Sequence, residues 1–134
     1  DSLNADEDYM LTLINRERIM TNLIPLKIDP VLVEIARDHA LEMIDLKYFD
    51  HKSPVSGSLD NRLLINRIGD WLSGGENLAQ APSVESAFKA LMKSRSHILN
   101  IMYPDFTLVG IGIIDGGSFG KMFAQDFIQY KEDK

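Results

Sequence analysis

Residues 30–44 and residues 106–127 keep different hydrophobic periods, and no single class of secondary structure accommodates both. In the first stretch Leu32, Ile35, Ala36, His39, Ala40, Met43 and Ile44 recur at steps of three and one. That is the i, i+3, i+4 stripe of a helix lying on a core. In the second, Val109, Ile111 and Ile113 alternate with Gly110 and Gly112, Asp115-Gly116-Gly117 supplies a turn, and Phe119, Phe123 and Phe127 line a returning strand. Two glycines on one strand face predict that a helix or loop packs close there. Helices first and a hairpin last give an α+β fold class, built in layers.

The remaining elements fit around these two. Met10, Leu13, Ile14 and Glu17 begin a short amphipathic helix ending near Thr21-Asn22. Asp29-Pro30 starts the second helix, with a side-chain acceptor at the N-cap and a pre-set φ at the first helical position. Residues 50–75, punctuated by Pro54, Gly57, Gly69 and Gly74-Gly75, read as a loop around one short helix over 59–68. Ser83 caps a further helix that buries Val84, Ala87, Phe88, Leu91 and Met92. The 134 residues make one domain, placed at 9–130. The acidic opening DSLNADED (residues 1–8) reads as the remnant of a tether, and residues 131–134 as a polar tail.

Composition narrows the function. With no cysteine, the chain has no thiol nucleophile, no Cys-based zinc site and no disulfide framework. Fourteen Lys and Arg against 20 Asp and Glu give a net charge of −6, without the positive face that phosphate neutralisation needs, which argues against nucleic acid as a partner. No apolar run approaches the ~18 residues of a membrane span.

Three histidines can be weighed singly. His39 sits in the apolar stripe of the second helix and reads as a core histidine hydrogen-bonded to backbone. His51 follows a helix end and opens the polar run His51-Lys52-Ser53-Pro54; His97 lies just past the third helix. Glu76 and Asn77 follow Gly74-Gly75 at the start of an extended piece. Two imidazoles and a carboxylate meeting in one cleft would suit a divalent transition metal, or general acid/base work on a bound water. The alternative is three surface residues that never meet.

Several strings, in order from about residue 9 to 128, resemble the CAP superfamily, which takes in cysteine-rich secretory proteins, antigen 5 and plant pathogenesis-related 1 proteins. They are Leu13-Ile14-Asn15-Arg16-Glu17-Arg18 with Ile24-Pro25-Leu26-Lys27-Ile28-Asp29, then Ala36-Arg37-Asp38-His39-Ala40 with Met43. Phe49-Asp50-His51-Lys52-Ser53-Pro54, Gly75-Glu76-Asn77-Leu78-Ala79, Ser94-Arg95-Ser96-His97-Ile98-Leu99-Asn100, 106–112 and Phe123-Ala124-Gln125-Asp126-Phe127 follow. The cysteine-free pattern is that of the bacterial branch.

The resemblance implies a three-layer α-β-α sandwich with a small antiparallel sheet and a central cleft holding two His and two acids. Carried over, the histidines are His51 and His97, which would hold zinc or another divalent cation weakly, and the first acid is Glu76; Asn77 and Ser94 belong to the same cleft. Ser94 stands where the second acid would be, while Glu85 belongs to the first turn of its helix and reads as structural. The resemblance implies an exported protein, secreted or on a bacterial surface, with an upstream lipid anchor as in an outer-membrane lipoprotein. The incomplete acid set favours a module that engages protein, glycan or lipid over an enzyme. The alternatives are a metal-dependent, peptidase-like hydrolase with His51, Glu76 and His97 as its catalytic candidates, and a sterol- or lipid-binding protein lined by Leu63, Leu64, Ile65, Trp71 and Leu72. Ser53 and Ser96 neighbour histidines in sequence only.

Overall fold

A computed structural model describes residues 3–130. Helix α1 (Ala5–Met20) starts from Asn4, whose side chain accepts from the Glu7 amide while Glu7 returns a bond to the Asn4 amide. This capping box satisfies two of the helix's orphan donors at once. It also corrects the tether reading: residues 4–8 are cap and first turn, with Asp6, Glu7 and Asp8 favourably placed at the positive end of the dipole. The polar tail proposed at 131–134 lies outside the described residues.

Strand β1 (Lys27–Ile28) leads into α2 (Pro30–Leu46), capped by Asp29 and ended by Lys47 in the left-handed region at φ 59°. Then come α3 (Leu59–Ile65), β2 (Trp71–Ala81), α4 (Val84–Met92), α5 (Arg95–Ile101), β3 (Leu108–Asp115) and β4 (Lys121–Tyr130). The sheet order is β1-β3-β4-β2, antiparallel except for the short β1, which runs parallel to β3. Four particulars depart from the sequence reading. Helix α3 stops at Ile65, Phe119 sits exposed in the β3–β4 turn rather than on the strand, and His97 lies within a helix of its own, α5. The last five residues of what read as loop before Glu76, 71–75, are the start of β2: its glycines weaken intrinsic strand preference, but a full ladder to β4 from Ser73 to Ala81 overrides that.

The sheet separates two helical layers. Val109, Ile111, Ile113, Phe123 and Phe127 face α1, α4 and α5, meeting Met10, Ile14, Ala87, Leu91 and Ile101. On the other face α2 lies on Leu78, Met122 and Ala124, and α3 joins it through Leu63, packed with Leu32, Ile35 and Ile128. The glycine prediction is realised in full. A Cβ on Gly110 would stand 2.2 Å from the Leu32 carbonyl, and one on Gly112 would stand 2.4 Å from backbone of Ala36 and Arg37. Helix α2 therefore rests backbone against backbone on the sheet.

Candidate functional site

Glu76 and Asp126 face each other across the β2–β4 ladder, on the side covered by α2 and α3. Glu76 is buried, and its two oxygens accept four hydrogen bonds. Oε1 takes His51 Nδ1 at 2.8 Å and Arg62 Nη2 at 3.3 Å; Oε2 takes Arg62 Nη1 at 2.8 Å and His39 Nδ1 at 3.2 Å. Burial opposes its ionisation, but the bonds from His39, His51 and Arg62 outweigh that and hold the carboxyl well below the usual carboxylate range.

The same donors fix the loop that carries His51. His39 Nε2 donates to the Asp50 carbonyl at 3.0 Å, and Arg62 Nη2 donates to the His51 carbonyl at 2.7 Å. His39 is buried and backbone-bonded, as its place in the stripe predicts, and it also joins the site, which the stripe does not reveal. With Nδ1 bonded to Glu76, the His51 ring turns Nε2 away from the carboxylate, and its side chain stays 58% exposed. The Glu76 hydrogen bond raises the His51 pKa against a smaller effect of burial.

Across the cleft, α5 brings His97 into place. Asn77, wholly buried on the opposite sheet face from Glu76, donates to the His97 carbonyl at 3.1 Å and to Gln125 Oε1 at 3.1 Å, and accepts from Asn100 at 2.9 Å. His97 Nδ1 is buried without a hydrogen-bond partner. Burial, then repulsion from His51, lowers its pKa, so the ring is held neutral. Among the described residues no group of three or more His, Cys, Asp or Glu side chains has metal-holding geometry.

Ser94 caps α5 without a side-chain cap bond and lies 3.4 Å from Ser96 Oγ, apart from the acid cluster. The second acid is Asp126 instead, wholly buried with neither carboxyl oxygen hydrogen-bonded at ordinary geometry and Arg62 Nη1 at 3.9 Å. Burial, then the Glu76 charge beside it, pushes its pKa well above the usual carboxylate range, which favours its protonated form beside the Glu76 anion. Arg62 and Asp126 are the site residues that sequence reasoning missed. Arg62 shares the buried face of α3 with Leu59 and Leu63, and Asp126 interrupts an apolar strand; a lone charge on a buried face was the available signal.

Ser53 Oγ donates to Glu42 and accepts from the Val55 and Ser56 amides at 2.9 Å each, so it closes a turn. Of the proposed lipid-lining residues, Leu63 belongs to the core, Trp71 is half-buried, and Leu64, Ile65 and Leu72 are exposed. No helix among the described residues is long and apolar enough to cross a membrane.

Comparison with known proteins agrees with this architecture. Residues 11–127 match the family model described as "Cysteine-rich secretory protein family". The chain is 38% identical over 128 residues to "Uncharacterized protein YkwD" of Bacillus subtilis (strain 168), covering 95% of this chain and 48% of that protein. It is 30% identical to "Uncharacterized membrane protein YlbC" of the same organism, over 93% of this chain and 35% of that one, so it spans half or less of these relatives. An extracellular SCP-domain protein from Bacillus anthracis str. Ames superposes with a TM-score of 0.86 at 30% identity, over 94% of this chain and 41% of that one. An outer surface protein from Borrelia burgdorferi shares the fold, with a TM-score of 0.87 at 19% identity over 98% and 97% of the two chains. With the layered sheet, the His51–Glu76 pair and a family match over most of its length, the chain belongs to the cysteine-rich secretory protein (CAP) family.

Proposed function

We propose that this domain is an exported, surface-displayed binding module whose cleft holds a divalent cation weakly through His51 and His97. The observation that carries the reading is the state of Glu76. Each of its oxygens already accepts two donors, so it has no free lone pair with which to deprotonate a water, and its work is to orient His51. A hydrolase that used Glu76 as its general base would need one. The free Nε2 of His51 and the unpartnered Nδ1-bearing ring of His97 fit zinc or a similar ion, which would supply Lewis acidity or bridge to a ligand. The extracellular and outer-surface descriptions of the structural neighbours support export.

Calorimetric titration of zinc into the native domain and into a His51→Ala, His97→Ala double variant tests this. Weak heats present in the first and absent in the second are expected; indistinguishable heats refute it. Zinc-dependent turnover of a peptide substrate by the native domain would put the hydrolase on top.

Lipid binding is a second reading, favoured by a groove of about 740 Å³ where Met43, Ile44, Phe49, Phe119 and Met122 line the space between the end of α2 and the β3–β4 turn. Displacement of a fluorescent fatty acid, lost on Phe119→Asp, would support it.

A further inference from the structure

Strand β2 is the outermost strand beside β4, so its far edge has no strand partner. The ladder fixes which groups point that way. Ile128 turns its carbonyl toward β3's side, accepting from the Thr107 amide at 3.1 Å. Gly74, opposite Ile128, is therefore a non-hydrogen-bonded position, and its own N–H and C=O point away from β4. Glu76, two residues on, has the same parity: its outward carbonyl accepts from Asn100 Nδ2 at 3.2 Å. No described residue takes the outward pair of Gly74, which is exposed. A bulge at Leu72 ends the open edge on one side and Asn100 ends it on the other.

A hollow of about 370 Å³ lies over this edge, lined among others by His51, Leu59, Asp60, Trp71, Gly74 and Gly75. Gly74 leaves the strand bare there, Leu59 and Trp71 give the hollow apolar lining, and Asp60 adds a carboxylate to it. The Ser58 hydroxyl bonded to Asp60 lowers its pKa and keeps it ionised.

We propose that this edge binds a short extended peptide by strand addition. One peptide residue exchanges N–H and C=O with Gly74, an apolar neighbour lodges against Leu59 and Trp71, and a cationic flank faces Asp60. A donor and an acceptor presented on one residue match a peptide unit and nothing in an acyl chain. The charge of Asp60, on a chain of net charge −6, selects Lys or Arg beside the anchor. Because the open edge is only about three residues long, binding is weak, with a Kd on the order of 0.1–1 mM. The inference rests on reading the cleft as a binding site and names its partner.

The test is an amide-resolved NMR titration with the blocked peptide acetyl-Lys-Thr-Leu-Thr-Lys-amide. Saturable shifts at the Gly74, Gly75 and Glu76 amides and at the Trp71 indole are expected. The same peptide N-methylated at its central leucine should bind at least about tenfold more weakly. So should Gly74→Pro, which removes only the outward N–H and leaves the bonds to β4 in place; Gly74→Ala, which keeps that N–H, should bind like the parent. If Gly74→Pro does not fold, the N-methylated peptide decides alone. No saturable shift in β2, or equal binding of the N-methylated peptide, overturns the proposal. Zinc titration of the same samples separates the two ideas: intact zinc binding without peptide binding sinks only this inference, and lost zinc binding sinks the module reading.

Discussion

Arg62 ties the site together, since it donates to Gly57, His51 and Glu76 while buried. Removing its counter-charge leaves a cation stranded out of water, so Glu76→Gln should cost about 3–5 kcal/mol in urea unfolding. Asp126 behaves in the opposite sense. The unfolded chain gives up this proton near 3.8, whereas the folded protein keeps it to a pH well above that. Between those two values the folded state binds more protons than the unfolded one, so this residue withdraws stability as the pH rises through that window. Asp126→Asn keeps the shape without the proton; its melting temperature should gain on the parent's steadily from about pH 4 upward, and parallel curves would refute the assignment. Arg18 is a different kind of buried cation, with no carboxylate partner among the described residues: it donates to the carbonyls of Ile24, Ile101, Tyr103 and Phe106. Burial lowers its pKa. Lysine cannot reach such a spread of acceptors, and Arg18→Lys should lose at least about 2 kcal/mol by the same urea measurement.

Among the elements, α2 and the hairpin were legible because each keeps one period over many residues, and the glycines of β3 announced the helix above them. Adding a methyl where backbone already meets backbone cannot be relieved by a rotamer change. Gly110→Ala should therefore destabilise by about 3 kcal/mol or more, checked by denaturant midpoint, whereas Gly69→Ala, with open space around its Cβ, should stay within about 0.5 kcal/mol. Strand β2 was hard to read because Ser73-Gly74-Gly75 has little preference for any element and owes its conformation to pairing with residues some fifty positions away. The family motifs singled out His51, Glu76 and His97, but not who holds them. That depends on α3 and β4 arriving from elsewhere in the chain, which no local pattern encodes.

At the scale of the molecule, both helical layers bury their apolar stripes against one sheet, and Glu7 ties them together. Its buried carboxylate pairs with Arg37 of α2 at 2.6 Å and accepts from the Ile113 amide at 3.1 Å. Layers so linked should unfold together. Fluorescence of Trp71, the single tryptophan, and far-ultraviolet circular dichroism should give one coincident urea transition; separated midpoints would show that the layers melt independently.

The order β1-β3-β4-β2 puts the domain's last strand in the middle of the sheet. As the polypeptide leaves the ribosome, β2 and β3 have nothing to pair with in common until residues 121–130 follow them. The domain consequently stays open, and its acid cluster incomplete, through nearly all of its own synthesis. A polypeptide in that condition has no finished sheet to pull apart, and it closes only once that strand is free to enter between β2 and β3.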